Sequence, residues 1–378
     1  MTVPPTQDPS SSTGNGTDHL IEIVNQFALP TGEKVFSPLG NGRIHETYLV
    51  EQNPPAPGAR FVLQKLNGRV FENPELLMHN FGIVTFFLRQ ENKKTLELIE
   101  THSGKMFYSL DNSVWRMTRY IENTVVYETI EETSLAYEAG KVLGDFHETV
   151  RKIPSSDIKA HLRCFHHTPF HYLNLMKAER NPGRTSIDKK RTRDALNFID
   201  ERVNLIHSLD HAHQKNVLNS FPCHNDPKLS NILFDAGTTK GICLIDLDTV
   251  DIGLLPHDFG DAVRSICNRG GEDETDNHVQ FDLKLFEAFT EGYLRIMSKH
   301  VDSQNRSYLF TGVKIITLEL SIRFLTDYFL GDIYFKTSSP EQNLTNALRQ
   351  QQLLSQMEKS EEEAERILHS SMTTTAQA

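Results

Sequence analysis

The segment His224-Asn225-Asp226-Pro227-Lys228-Leu229-Ser230-Asn231 reads H-x-D-x-x-x-x-N and runs into the apolar stretch Ile232-Leu233-Phe234. A second apolar stretch, Ile242-Cys243-Leu244-Ile245, ends in Asp246, with Asp248 following on the same side. These residue types in this order suit phosphoryl transfer. An Asp accepts the proton of an attacking hydroxyl and aims its oxygen. An Asn at the start of one strand and an Asp at the end of its partner offer hard oxygen atoms to Mg²⁺. Asp226 is therefore the candidate catalytic base. An Asp before Pro227 would alone suit a turn equally well, and it is Asn231 and Asp246 at matching positions that favour catalysis. Asn231 and Asp246 are the candidate metal ligands, because a bare carboxylate at the end of a buried strand is costly unless it is paired or metal-bound. Asp248 is either a second ligand or a partner of the first. His224 is expected to hold the loop against the Asp246 segment by a hydrogen bond. Lys228 either touches the γ-phosphate or faces solvent.

Such a site needs a sheet to bring the nucleotide and helices to hold the loop, and the chain offers both. Over residues 19–120 short strands alternate with turns: Thr47–Val50, Phe61–Leu66, Met106–Leu110 and Val114–Tyr120, with one helix over Leu76–Glu91. From Thr133 onward the period becomes helical, with a capping box at Thr129 and Glu132. Further helices are expected over His171–Arg180, Lys189–Leu209, Leu283–Ser298, Leu309–Phe329 and Leu344–Met357. The fold class is α+β, a small antiparallel-sheet lobe followed by a mainly helical one. The boundaries are a disordered tail over 1–18, the sheet lobe over 19–120 and the helical lobe over 121–358. A helix end and polar tail follow over 359–378, and the run Glu361–Glu365 reads as a solvated helix end.

In the sheet lobe, Lys65 ends an alternating strand on the same side as Leu63. That pairing fits a cation for the α/β-phosphates beside an apolar wall for adenine. Gly40 and Gly42 flank Asn41 in a turn whose N–H groups suit phosphates. Thr118 and Tyr120 lie where the halves join, so their backbone is expected at the adenine edge. His257-Asp258-Phe259-Gly260-Asp261 contains D-F-G, yet it follows the Asp246 strand at a distance. Asp258 and Asp261 are read as caps of the next helix and as hydrogen-bond partners of the catalytic loop.

The length of 378 residues accommodates two lobes and a cleft. The net charge of -11 argues against nucleic-acid or anionic-membrane partners. No stretch reaches the ~18 apolar residues of a membrane helix, and no signal peptide leads the chain. The four Cys form no C-x-x-C pair, so neither a zinc site nor a disulfide framework is indicated. A cytoplasmic protein fits this pattern, and the sequence does not distinguish monomer from homodimer.

With these segments in place, the chain resembles the aminoglycoside phosphotransferase and choline kinase superfamily, and within it the N-acetylhexosamine 1-kinases. The resemblance rests on Gly40-Asn41-Gly42, Val62-Leu63-Gln64, Trp115-Arg116, His224-Asn225-Asp226, Ile245-Asp246-Leu247-Asp248 and Asp258-Phe259-Gly260-Asp261. Arg323 to Tyr328 and Gly331-Asp332-Ile333-Tyr334-Phe335 are its most family-specific part. It implies a two-lobed protein-kinase-like fold, ATP and Mg²⁺ as cofactors, and phosphorylation of the anomeric hydroxyl of a sugar substrate, an N-acetylhexosamine. Arg323 and Tyr334 would contact the sugar. The residues alone suggest helix packing for both, with Asp327 as a salt-bridge partner of Arg323. One departure stands out: Arg43 occupies the position of a family His that reaches the sugar, and His45 is the next inward-facing position. Arg is longer and permanently charged. Arg43 and Arg323 favour a neutral or acidic acceptor over an amino alcohol or aminoglycoside. A nucleotide-binding pseudokinase would lack Asp226, Asn231 or Asp246, and all three are present. No long activation segment of a protein kinase follows Asp246.

Overall fold

The computed structural model describes residues 13–40, 45–53, 60–68, 71–111, 113–271 and 279–370. The chain divides into two compact units. The first holds residues up to Met78 and Leu96–Glu122; the second holds His79–Thr95 and everything from Asn123.

In the first unit, α1 (Thr13–Val24) precedes β1 (Glu33–Pro38), β2 (Glu46–Asn53) and β3 (Arg60–Leu66). Helix α2 (Pro74–Gln90) then crosses the boundary between the units, and β4 (Tyr108–Leu110) and β5 (Ser113–Arg119) complete an antiparallel sheet in the order β1-β2-β3-β5-β4. The register sets two faces, because side chains alternate along a strand. Leu63 opposes Met117, and Lys65 opposes both Glu46 and Trp115. Phe61, Leu63, Val50, Trp115 and Met117 form one apolar cluster with Ile23, Val24 and Phe27 around α1. The other face carries Val62 with Thr118 and Gln64 with Arg116. The stretch Ile21–Phe27 thus forms mostly helix that covers the sheet. Helix begins at Thr13, inside the segment expected to be a tail, and residues 1–12 lie outside the described ones.

The second unit is mainly helical. β6 (Thr124–Val125) leads to α3 (Thr133–Val150), α4 (Thr168–Arg180), α5 (Lys189–Asp200), α6 (Val203–Ile206) and α7 (Ser208–Gln214). Four short strands follow: β7 (Ser220–Cys223), β8 (Ile232–Asp235), β9 (Gly241–Leu244) and β10 (Asp251–Leu254). They form a two-stranded ladder, β7 with β10, and a three-stranded sheet in the order β6-β8-β9. The chain ends with α8 (Leu255–Ile266), α9 (Leu283–Met297), α10 (Ser303–Arg306), α11 (Leu309–Leu330), α12 (Gln342–Lys359) and α13 (Glu361–Ser370). Helix α11 packs against α8, α12 and α4. Most of its residues are buried, as expected of a helix at the centre of its unit. Helices α3 and α9 touch backbone to backbone. A Cβ on Gly140 would lie 2.1 Å from the Phe289 carbonyl oxygen, and one on Gly292 would lie 2.0 Å from that of Tyr137.

Three expectations change. The helix foreseen over 189–209 is broken into α5, α6 and α7; at the first break Arg202 binds Glu358 of α12 through Nε and Nη2, both at 2.8 Å. The capping box does not form: Glu132 is the N-cap of α3 and its side chain makes no capping bond. The acidic run at Glu361 opens a separate helix, where negative charge suits the N-terminal dipole, and Ala364, Ile367 and Leu368 are buried beneath it. Among the described residues no helix is long and apolar enough to cross a membrane.

Candidate active site

The loop between β7 and β8 carries His224 to Asn231. Asn225 has φ 65, a left-handed conformation that Asn tolerates better than most residues. Its backbone N–H and that of His224 both donate to Asp258, at 2.7 Å each. Asp258 also accepts from His147 Nε2 at 2.9 Å, and His147 Nδ1 meets the Tyr293 hydroxyl at 3.0 Å. Burial alone would raise the Asp258 pKa, but the bond and charge of His147 and the His224 N–H hold it below the usual carboxylate range. Asp258 lies in the first turn of α8, whose N-cap is Leu254. It therefore anchors the loop and does not cap the helix. Asp261 is bound to Arg264 instead.

His224 Nδ1 accepts the Asp226 N–H at 3.3 Å, and its Nε2 meets the Ile245 carbonyl at 3.0 Å. Only the Nε2-protonated tautomer satisfies both bonds. The Asp226 side chain is 22% exposed, and its Oδ2 accepts from Lys228 Nζ at 2.9 Å and Asn231 Nδ2 at 3.0 Å. Asn231 Nδ2 also holds the Asp226 carbonyl at 2.8 Å. The amide nitrogen of Asn231 is turned to Asp226, so its amide oxygen is the atom suited to a hard cation. Ile232 pairs with Leu244, and the Ile245 N–H donates to the Asn231 carbonyl at 2.8 Å. This pairing brings the Asn231 backbone to within one residue of Asp246. Asp246 has φ 59 and ψ 53, a strained conformation for a non-glycine residue. An oxygen of Asp246 and one of Asp248 lie within 4.8 Å of each other. The second unit thus gathers Asp226, Lys228, Asn231, Asp246 and Asp248 in one small region, with His224 beneath them. All the oxygen donors are hard, which fits Mg²⁺.

Arg323 is half-buried on α11, with its guanidinium 5.3 Å from the Phe165 ring, 5.8 Å from Tyr334 and 5.9 Å from Phe335. Asp327 does not serve Arg323. Its carboxylate accepts the backbone N–H groups of Ile333 (2.9 Å), Tyr334 (2.8 Å) and Phe335 (2.8 Å), and so shapes the loop that Gly331 opens at φ 92. Tyr334 stands on that loop, beyond the end of the helix, and is 54% exposed.

In the first unit, Gly40 has φ 69, as its turn requires. Gly42 and Arg43 lie outside the described residues. His45 is nearly buried; its Nδ1 accepts the Asn67 N–H at 3.1 Å, and its ring stacks on Phe71 at 5.5 Å. Lys65 pairs with Glu46 at 3.3 Å and lies over the Trp115 ring at 5.7 Å. Leu63, expected as a wall for adenine, is instead fully buried in the core under α1. Thr118 is on the opposite sheet face from Lys65. Tyr120 N–H donates to the Arg60 carbonyl at 3.0 Å, and its ring lies under the Arg60 guanidinium at 4.5 Å. The face of Thr118 carries a cation that was not singled out: Arg116, 1% exposed, donates to Gln64 Oε1 from Nε at 3.0 Å and Nη2 at 2.8 Å. An Arg between the apolar Trp115 and Met117 was the available signal.

Residues 35–295 match the family described as APH, phosphotransferase enzyme family. The fold is shared with solved structures of low sequence identity. One is a microcompartment-associated aminopropanol kinase, at TM-score 0.63 and 14% identity, over 92% of this chain and 98% of that one. Another is choline kinase from Cryptosporidium parvum Iowa II, at TM-score 0.62 and 14% identity, over 94% and 99%. A third is an amicoumacin kinase in complex with AMP-PNP, Ca²⁺ and Ami, at TM-score 0.61 and 14% identity, over 90% and 93%. Fold and family together define an α+β, kinase-like phosphotransferase that acts on hydroxyl groups. The chain belongs to the APH phosphotransferase family.

Proposed function

We propose that the protein transfers the γ-phosphoryl group of ATP to the anomeric hydroxyl of an N-acetylhexosamine, giving the sugar 1-phosphate. The observation that carries the reading is the setting of Asp226. Its carboxylate is open to an acceptor on one side and aimed by Lys228 and Asn231 on the other. The amicoumacin kinase of the same fold is in complex with AMP-PNP and Ca²⁺, in keeping with a nucleotide and a divalent ion here.

Asn231 and Asp246 would hold Mg²⁺, with Asp248 beside them, and the ion would neutralise charge on the transferring phosphate. Asp226 orients the acceptor hydroxyl and takes its proton at Oδ1, since Lys228 and Asn231 both hold Oδ2, as the oxygen reaches phosphorus. Lys228 stabilises the carboxylate until then and stands near the transferred group. His224 keeps the loop on the Asp246 strand. Gly40, Gly42, Thr118 and Tyr120 are assigned to the nucleotide. Lys65 is the cation expected from the strand pattern, and Arg116 is the one that the Thr118 face offers.

The sugar is assigned to Arg323 and Tyr334; Arg43 and His45 remain sugar-contact candidates from the sequence alone. Aromatic rings beside a guanidinium suit the C–H faces and hydroxyls of a neutral sugar. Glu319, one turn before Arg323, is engaged by His166 and Thr168. It is thus committed and poorly suited to hold a cationic amine. The second reading, an amino-alcohol or aminoglycoside kinase, draws on the aminopropanol and choline kinases of the same fold. A screen of ADP release over N-acetylglucosamine, N-acetylgalactosamine, glucose, choline and an aminoglycoside separates the two. Nucleotide binding with no acceptor turned over would point to a pseudokinase.

A further inference from the structure

His166 lies in the turn before α4, far in sequence from the catalytic loop, yet its ring bridges that loop to α11. Its Nε2 meets the carbonyl oxygen of Asn225 at 2.7 Å, and its Nδ1 meets Glu319 Oε1 at 2.9 Å. The Asn225 carbonyl belongs to the peptide that enters Asp226. The N–H of the same peptide is held by His224 Nδ1 at 3.3 Å. The peptide is therefore gripped at both ends, and its plane fixes the direction in which the Asp226 side chain leaves the backbone. The other polar groups of Asn225 are also engaged. Its N–H goes to Asp258, and its Nδ2 donates to the Thr249 carbonyl at 2.9 Å. A left-handed non-glycine residue persists only when its surroundings over-determine it, and here they do.

Both partners of His166 are acceptors: a carbonyl on one side and a carboxylate on the other. A neutral imidazole has one N–H and satisfies one of them; the imidazolium satisfies both. The surroundings favour that charge on His166. Burial opposes it, but the bond and charge of Glu319 and the Asn225 carbonyl outweigh burial, and the His166 pKa rises. Burial would likewise raise Glu319, but His166 first, then His171 and Arg323, hold it down at about 2. Thr168 Oγ1 donates to the second Glu319 oxygen at 2.7 Å. The neighbouring imidazoles do not compete. His257, from α8, has its ring centroid 5.3 Å from that of His166, and burial followed by the His166 charge lowers its pKa to about 3. His171, on α4, is lowered chiefly by burial and by Arg323, against the pull of Glu319. The Asp261 carboxylate of α8 adds to the field that favours the His166 charge.

We infer that His166 and Glu319 are positioning residues, an imidazolium–carboxylate clamp on the peptide before Asp226 that sets the aim of the catalytic carboxylate. The inference rests on the base role of Asp226 proposed above. Neither residue touches the acceptor in this account. Their effect is on orientation, where a misplacement of about 1 Å can cost roughly a hundredfold in rate.

The test uses the full chain with ATP, Mg²⁺ and the acceptor that turns over in the screen. His166→Ala should lower kcat about ten- to a hundredfold while the KM for ATP moves less than about threefold, the signature of lost aim and not lost binding. His166→Gln, which keeps a donor toward the Asn225 carbonyl, should recover part of that loss, and it serves as the second variant if His166→Ala does not fold. Nitrogen-15 NMR should find both ring nitrogens of His166 protonated at neutral pH and only one in Glu319→Gln. In either His166 variant the backbone amide resonance of Asp226 should move. A kcat within about twofold of the parent in a folded variant, or an unmoved Asp226 amide, overturns the clamp. Asp226→Asn is measured in parallel. If it keeps turnover, the base reading has failed; if it is inactive while His166→Ala is active, only the clamp has failed.

Discussion

Asp258 holds the His224–Asn231 loop by two backbone N–H groups, and replacing it gives a prediction with a workable magnitude. Its Oδ2 accepts from His224 N–H and from His147 Nε2; its Oδ1 accepts from Asn225 N–H. All three donors are buried. In Asp258→Asn the amide will turn its oxygen to the Oδ2 position, where two donors wait, and its NH₂ will face Asn225 N–H. One buried donor is then orphaned, at a cost of about 1–3 kcal/mol, and two charge-assisted bonds become neutral ones of about half the strength. The expected loss is roughly 2–4 kcal/mol. Asp258→Ala orphans all three donors and leaves a cavity, so its loss approaches the ~5–15 kcal/mol that holds a typical domain together, and it is expected not to accumulate as folded protein. Urea unfolding of parent and Asp258→Asn measures the difference directly. kcat should fall as well, since the Asn225 conformation loses its N–H anchor. An Asp258→Asn protein within about 0.5 kcal/mol of the parent would refute the reasoning, because an orphaned buried donor cannot be that cheap.

Two further perturbations probe the frame. Gly140→Ala places a methyl 2.1 Å from the Phe289 carbonyl oxygen at the α3–α9 crossing, so the helices must separate. A loss of at least about 1–3 kcal/mol in thermal unfolding is expected, and an unchanged Tm would show that the crossing is looser than the backbone geometry implies. The acid limb of stability should carry the mark of Glu319. Its carboxyl is held down to about 2 in the folded state against an ordinary 4.5, so the folded state binds fewer protons between these values. That contribution is fully present above about 4.5 and is lost as pH falls toward 2. It amounts to roughly 3 kcal/mol at one proton per 1.36 kcal/mol per pH unit. Stability against pH should therefore fall less steeply in this window for Glu319→Gln than for the parent; identical slopes would contradict the depressed value.

Much of the frame was legible because it is written locally. The H-x-D-x-x-x-x-N loop, the β8–β9 pair and the long periodic helices each sit within one stretch of sequence. What was not legible is set by partners distant in the chain. Nothing near residue 200 marks a break, since no Gly or Pro occurs there; the partner that Arg202 meets at the first break, Glu358, lies 156 residues away. Lys65 and Leu63 were correctly placed on one side of β3, but which side faces the core depended on α1, a helix that begins inside the segment read as a tail. Tyr334 was expected on a helix, although Gly331 is the kind of residue that ends one; the three N–H bonds to Asp327 that shape the following loop carry no sequence signature. His166 and Glu319 stand 153 residues apart, and only the fold joins them.

The most direct test of the central claim is the identity of the product. Phosphorus NMR of a reaction containing ATP, Mg²⁺ and N-acetylglucosamine or N-acetylgalactosamine should show a phosphate on the anomeric oxygen, formed by the parent and lowered about a hundred- to ten-thousandfold in Asp226→Asn, the range a positioned general base supplies. Phosphate on any other hydroxyl, or on an amino alcohol in preference to either sugar, would contradict the sugar 1-kinase reading. An Asp226→Asn protein that still forms product at the parent rate would contradict the site itself.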